Sequence, residues 1–354
     1  MKILYLINHA GKAGTEKYVR EMAAYAQQQG AEVLFAYNEG GLLVEQMADL
    51  GIPCLQIKMC CLLDLKAARA LAKICREHKV NIIHAQYARE NYLALLAKKF
   101  GSGARVVFTS HFHIYNNFLW RIANKIVTPA NDAIIAVCTS LKSLLIKNKM
   151  PAHKIRVIFN GVLPTPTPRP LPSEPFTFTT ICRLSAEKGL MFLLASVKIL
   201  ADSGKNFKVI IAGDGEMLPK MKEYIAANKL EGFVELPGYS DPATILAQSH
   251  VYICSSENEA TSFSVLEAMA QSLPVIVTNV GGLPDIVNPT TNCGILVEYN
   301  DVKALAQAME TLMANQSLYN ELAKNALLAI ETTFNLQKMA SATYNVYKEL
   351  MNDD

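Results

Sequence analysis

The sequence predicts two α/β domains in series, each a doubly wound parallel sheet, and three observations predict it. Short apolar strand-like runs alternate with amphipathic helical stretches, which is the signature of βαβ units. The alternation stops at one proline-rich segment and then starts again. The 354 residues suit two domains of roughly 150 each, and 51% hydrophobic residues can fill two cores. With 18 Gly and 15 Pro, neither a fibrous nor a disordered chain is indicated.

In the first half, KILYLI, EVLFAY, PCLQIK, NIIHAQ, RVVFTS, AIIAVC and IRVIFN read as buried strands. TEKYVREMAAYAQQQG and LKAARALAKICREHK lie between them as helices, the first closed by Gly30. The opening MKILYLIN is too short for a secretion signal, and no apolar run approaches the roughly 18 residues that span a bilayer. A cytoplasmic protein is therefore expected. The first domain covers 1–160. Gly161 to Pro175 carries six prolines in fifteen residues, which excludes helix and central strand and reads as a semi-rigid linker. FTFTTI, FKVIIAG, FVELPG, VYICSS, PVIVTN and GILVEY are the strands of a second domain over 176–330, with KGLMFLLASVKILADSG and LPKMKEYIAANKL as helices. From about Asp301 the chain reads as helix almost to its end, and 331–354 is expected to be a helix crossing back to the first domain. In such sheets ligands bind outside the carboxyl ends of the strands, so site residues should gather there, facing a cleft between the domains.

Charge is uneven. Residues 1–160 hold 21 Lys and Arg against 10 Asp and Glu, a net of +11, while 161–354 hold 13 against 21, a net of −8. Different partners for the two halves would explain this, and so would drift in surface charge. The eight cysteines, at 54, 60, 61, 75, 138, 182, 254 and 293, form no C-x-x-C pair, which fits reduced, buried thiols better than disulfides or a zinc site.

Two carboxylates stand eight residues apart in Glu259-Ala-Thr-Ser-Phe-Ser-Val-Leu-Glu267, Glu259 in a loop after VYICSS and Glu267 in the helix that follows. An ionised carboxylate accepts two hydroxyl hydrogen bonds at once, which suits the vicinal hydroxyls of a sugar or ribose. Spacing alone favours two surface glutamates. The wider stretch resembles the C-terminal signature of the retaining GT-B glycosyltransferases of family four (glycosyltransferase group 1). The matching residues are Glu259, Leu266-Glu267-Ala268-Met269-Ala270, Pro274-Val275-Ile276 and Gly281-Gly282-Leu283-Pro284-Asp285-Ile286-Val287. Asn160-Gly161-Val162 and the tail FNLQKMASATYNVYKEL extend the resemblance.

The resemblance implies two Rossmann-like domains in a GT-B fold and a nucleotide-sugar co-substrate, most simply a UDP-sugar, with no cofactor and no metal. It implies that Glu267 holds the ribose, that Glu259 faces the donor sugar, and that backbone N–H groups of Ser262, Phe263 and Ser264 lie beside the sugar and diphosphate, where a helix start attracts anions. Ala260, Thr261 and Ser262 stand where the family usually has glycines, which leaves the donor sugar open. Ile181-Cys-Arg-Leu-Ser-Ala-Glu-Lys-Gly189 resembles the family's G-R-L-x-x-x-K-G, with Cys182 in place of Gly. Arg183 and Lys188 would then meet the diphosphate and stabilise it as it leaves; an ordinary solvated turn remains the plain alternative. Gly213-Asp214-Gly215 resembles the family's turn below the base, although any tight turn favours Asp-Gly.

In the first half, Ala13-Gly14-Thr15-Glu16-Lys17 resembles the family's G-G-x-E-R turn, where Gly14 would bring backbone to the diphosphate; a plain strand-to-helix turn fits as well. G-x-G-x-x-G is absent. His111 matches the family's T-x-H, near the donor sugar and reaction centre, in a front-face mechanism without a settled protein nucleophile. His111 and His113 have no acidic or Cys neighbour to complete a metal site, and no D-x-D occurs. His9, His84 and His250 read as core or turn residues. The acceptor, a glycan or lipid-linked hydroxyl, is expected on the basic half. Lys58–Lys66, which opens a basic helix, and the aromatic-basic Phe112–Lys125 with Trp120 suit an anionic membrane surface or a buried helix face. No nucleic acid is expected. The rivals are an epimerase or hydrolase on the same fold, for which no added acid/base pair is visible, and a non-catalytic nucleotide-sugar-binding subunit.

Overall fold

The computed structural model describes residues 1–61, 63–111, 118–165 and 174–352. His113, the first six residues of the Phe112–Lys125 segment and 166–173 of the linker lie outside them. In chain order the elements of the first half are β1 (Lys2–His9), α1 (Gly14–Gln28), β2 (Glu32–Glu39), α2 (Leu42–Asp49), β3 (Cys54–Gln56), α3 (Leu65–Glu77), β4 (Ile82–Ala85), α4 (Ala88–Lys99), β5 (Arg105–Ser110), α5 (Phe118–Val127), β6 (Ala133–Ala136), α6 (Thr139–Lys147) and β7 (Ile155–Val157). The second half adds β8 (Phe176–Ile181), α7 (Leu190–Asp202), β9 (Phe207–Ala212), α8 (Leu218–Ala227), β10 (Val234–Gly238), α9 (Pro242–Ala247), β11 (Val251–Cys254), α10 (Phe263–Ala270), β12 (Val275–Thr278), α11 (Leu283–Ile286), β13 (Gly294–Val297), α12 (Val302–Ala314), α13 (Gln316–Thr332) and α14 (Leu336–Asn352).

Each apolar run read as a strand is a strand. All pairings are parallel, in the orders β3-β2-β1-β4-β5-β6-β7 and β10-β9-β8-β11-β12-β13. Helices on both faces of a parallel sheet leave its central strands no solvated side, which is why β1 and β11 read as continuous runs rather than alternating ones. Ile3 to Ile7 of β1 are wholly buried, with Leu4 beside both Leu34 and Ile83. The chain divides into two compact units, 1–160 with 336–354, and 161–335.

The last helix belongs to the first unit. Its Tyr347 is buried and shares a 2.6 Å hydrogen bond with His84 Nδ1 on β4, and Tyr344 packs edge-on against Tyr25 of α1. The change of unit falls at Leu336 rather than 331, because α13 runs on to Thr332 and Phe334 is buried within the second unit. The core of that unit gathers Phe178, Leu193, Val197, Val209, Ile253 and Met309 between β8, β9, β11 and helices α7 and α12.

Two local expectations change. All eight cysteines are free, but Cys60 and Cys61 are exposed, because they precede α3 in an irregular stretch. Helix α3 begins only at Leu65, where Asp64 accepts from Ala67 N (2.9 Å) as its N-cap, so most of Lys58–Lys66 is not helical. No helix of the described residues is long and apolar enough to cross a membrane.

Candidate functional site

In each sheet the strand order reverses once, between β1 and β4 in the first unit and between β8 and β11 in the second. Helices leave the two sides of such a point in opposite directions, so the strand ends there stay open to a ligand.

At the second unit's reversal, the segments after β8 and β11 meet. Lys188 Nζ contacts Glu259 Oε2 at 2.6 Å, and both side chains are largely buried. Ser256 Oγ donates to the same carboxylate oxygen (3.3 Å), and Gly282 N donates to the Glu259 carbonyl (3.0 Å). Burial works against the Lys188 ammonium, but the Glu259 carboxylate outweighs it and holds the lysine above its ordinary pKa. Arg183 is exposed and forms no ion pair among the described residues. One largely buried cation is thus fixed by a carboxylate, and a second, exposed cation stands five residues before it in the chain.

Glycines let the loops approach this closely. Gly189 has φ +63°, and a Cβ there would stand 2.0 Å from the Ser255 carbonyl oxygen. Ser255 Oγ in turn donates to the Lys188 carbonyl (2.9 Å), so the two loops are tied on both sides of the ion pair. Gly213 and Gly215 place a Cβ 1.9 Å from Cys182 O and 2.3 Å from Leu184 O. The turn they form closes on the Arg183 loop, where Leu184 N donates to Asp214 O (2.8 Å). Cys182, in the position the resemblance gives to glycine, is half-buried, and burial pushes its thiol up to about 12.

Helix α10 starts at Phe263 with Ser262 as N-cap, but Ser262 does not cap it: its hydroxyl pairs with Ser264 Oγ (3.1 Å). Tyr252 of β11 donates to Ser264 Oγ (2.8 Å) and accepts from Ile181 N (3.2 Å), locking the helix start to the end of β8. Glu267 lies on α10, half-buried, one helical turn past Ser264. The predicted residues Arg183, Lys188, Gly213, Asp214, Gly215, Glu259, Ser262, Phe263, Ser264 and Glu267 thus come from the segments after β8, β9 and β11.

Gly14 and His111 belong to the first unit. Gly14 is the first residue of α1, which no side chain caps. Glu16 in that first turn is buried, and its Oε1 accepts from Gly11 N (3.2 Å). His111 follows β5, with its Nε2 3.0 Å from Gln86 Oε1 and its ring edge-on to Tyr18 at 4.8 Å. Burial pushes its pKa down to about 3, so the ring is neutral at physiological pH and acts as a hydrogen-bonding group, not a cation. Behind it, His84 lies between Tyr347 (2.6 Å) and Thr109 (2.7 Å), also neutral through burial. The tyrosine partner comes from 263 residues away, so no sequence signal marks it. Ser255, Ser256 and Tyr252 were also missed; the only hint was their place at a strand end.

The model "Glycosyltransferase Family 4" matches residues 13–165, and "Glycosyl transferases group 1" matches 166–328. An Escherichia coli UDP-Gal:alpha-D-GlcNAc-diphosphoundecaprenol alpha-1,3-galactosyltransferase is 25% identical, over 89% of this chain and 88% of that one. Among solved structures, a glycosyltransferase from Rickettsia africae has a TM-score of 0.87 at 24% identity, covering 100% of this chain and 99% of the other. Anabaena HepE, solved in complex with UDP, has a TM-score of 0.84 at 18% identity, covering 99% of this chain and 100% of that one. Two matched halves, two parallel-sheet units and these neighbours lead to one conclusion: the chain belongs to the group 1, family 4 glycosyltransferases of GT-B fold.

Proposed function

We propose that the protein moves a hexose from a UDP-sugar to a hydroxyl of a glycan or lipid-linked acceptor, with retention of anomeric configuration and with side-chain cations in place of a metal. The observation that carries this is the Lys188–Glu259 ion pair at the second unit's strand-order reversal. In this reading the ammonium, already oriented, meets the diphosphate as negative charge grows on it, and Arg183 supports it from solvent. Glu267 accepts from the two ribose hydroxyls, and the start of α10 faces the phosphates. Glu259 is held by Lys188 and Ser256, which suits a group that orients the sugar better than a free nucleophile. The attacking hydroxyl then gives its proton to the leaving diphosphate oxygen on the same face, and the anomeric configuration is kept. His111 serves as a neutral hydrogen-bonding group. UDP-sugar use is supported by the E. coli relative's name and by UDP in the HepE structure.

The test is nucleotide release and thermal shift with UDP-, GDP- and ADP-sugars. Stabilisation and turnover are expected with a UDP-sugar and not with the others. Turnover with GDP- or ADP-sugars alone would refute the base assignment, and stabilisation without turnover on any acceptor would favour a binding subunit.

The reading includes an anionic membrane surface as the place where a lipid-linked acceptor is met. On α5, Phe118, Ile122 and Ile126 face solvent at four-residue spacing, Phe118 and Ile126 each 73% exposed. The opposite side of the helix holds Trp120 against Tyr92 and Asn124 in a 2.7 Å hydrogen bond with the Tyr92 hydroxyl. Lys125 is exposed beside the apolar row, and Leu63 and Leu65 are exposed in the other basic segment. An apolar row with neighbouring cations matches the interface of an anionic bilayer. Co-sedimentation at low salt is expected with phosphatidylglycerol-containing vesicles and not with phosphatidylcholine alone. Ile122→Ser with Ile126→Ser should weaken it roughly tenfold. Binding unchanged by this double variant would exclude α5.

A further inference from the structure

At the carboxyl ends of the neighbouring strands β4 and β5 two polar side chains meet. Gln86 follows β4 directly and is 0% exposed, and its Oε1 lies 3.0 Å from His111 Nε2. The nitrogen of the same amide donates to the His84 carbonyl oxygen (3.2 Å), within β4 itself. A carbonyl oxygen only accepts, so the NH2 of Gln86 has to face His84 and its oxygen has to face His111.

That amide oxygen also only accepts, so the proton between the two side chains belongs to His111 Nε2. Burial holds the imidazole neutral, with its pKa down to about 3, and a neutral imidazole has a single N–H. Nδ1 is therefore left with a bare lone pair. The rings of Tyr18 at 4.8 Å and Tyr87 at 6.2 Å flank the imidazole, and the Tyr18 hydroxyl is itself 3.4 Å from Thr109 Oγ1. Among the described residues no group bonds to Nδ1. It is also not sealed: the ring keeps 7% of its surface, and Nδ1 is not one of the enclosed, unpartnered atoms of the kind that Glu90 and Asn91 carry. An accessible acceptor thus stands where an open parallel sheet receives its ligands.

We propose that Gln86 is a positioning residue that holds His111 in its Nε2–H form, so that Nδ1 accepts a hydrogen bond from a hydroxyl of the bound sugar. This deepens the proposed function, in which His111 is a neutral hydrogen-bonding group, and rests on it. The direction of the bond follows from Gln86 alone. With the other tautomer His111 would offer a donor to the sugar and two lone pairs, on Nε2 and on Gln86 Oε1, would face each other.

Gln86→Met keeps the length of the side chain and removes both polar ends. Nucleotide release from UDP-glucose, UDP-galactose and UDP-N-acetylglucosamine is measured for the wild type, Gln86→Met, His111→Ala and the double variant. With the donor that the wild type uses, Gln86→Met is expected to lose about tenfold in kcat/KM, the effect of one orienting hydrogen bond. A residue that acts through His111 has nothing left to act on once the ring is gone. The same substitution in the His111→Ala background should therefore cost less than about twofold. An equal loss in both backgrounds would show a packing role and overturn the proposal. The tautomer is read without any change at Gln86, from the nitrogen resonances of isotope-labelled histidine, with the His111 signals identified by their loss in His111→Ala. The ligand-free wild type should show a proton on Nε2 and none on Nδ1, and bound donor should move the Nδ1 resonance in the sense of a hydrogen-bond acceptor. A proton on Nδ1, or an Nδ1 resonance that ignores bound donor, would overturn the proposal. If none of the three UDP-sugars is turned over, the donor assignment fails, and the tautomer of the ligand-free protein still decides whether Gln86 sets it.

Discussion

Lys188→Ala is expected to lower turnover by about 10²- to 10³-fold, the effect of removing one preorganised donor from a developing anion. The loss has two sources. The leaving diphosphate no longer meets the ammonium, and Glu259, largely buried, keeps its charge with only Ser256 beside it. A carboxylate left alone there repels the phosphates that the pair would attract. The deficit should appear in kcat more than in KM, because charge on the bridging oxygen grows only as the bond breaks. Lys188→Arg should recover little of it, since a fork cannot replace a point charge held 2.6 Å from one oxygen in a packed site. Nucleotide release under saturating donor reads all three proteins. A Lys188→Ala enzyme with more than a third of wild-type turnover would remove the ion pair from the mechanism.

Gly189→Ala is expected to be nearly as damaging, through the backbone alone. The residue sits at φ +63°, which costs a non-glycine residue about 1–2 kcal/mol. The new methyl would also stand 2.0 Å from the Ser255 carbonyl oxygen and 3.2 Å from the Tyr299 ring. The carbonyl cannot turn away cheaply, because Ser255 is itself tied to the Lys188 carbonyl. A total of about 3 kcal/mol corresponds to a Tm lowered by roughly 6–12 °C for a unit of this size. Donor binding should fall with it, since the same loops hold the ion pair. Gly204 supplies the control: it has φ +72° but nothing within 4 Å of a Cβ, so Gly204→Ala should cost only the backbone strain. Equal Tm losses for the two variants would mean that the close approach at Gly189 is unimportant.

The sheets were legible in the sequence because burial on both faces writes several central strands as continuous apolar runs. β1 and β11 are readable from single segments for that reason. The second unit's candidate site was legible because its residues cluster in three short motifs, after β8, β9 and β11. The pairing within it was not: Lys188 and Glu259 are 71 residues apart, and only the resemblance put both beside one ligand. Tyr347 with His84 and the burial of Glu90 were invisible. A helical glutamate after Tyr87-Ala88-Arg89 looks like any solvated first-turn acid until the packing of β1 and β4 is known. Cys60 and Cys61 do not share the burial expected of the thiols, because an irregular stretch ahead of a capped helix places them in solvent.

A crystal soaked with an unhydrolysed UDP-sugar analogue tests the central claim most directly. The account predicts the diphosphate within hydrogen-bond distance of Lys188 Nζ and the start of α10, with the ribose hydroxyls on Glu267. A nucleotide bound away from the β8–β11 strand ends, or one that leaves Lys188 and Glu267 without contact, would contradict it.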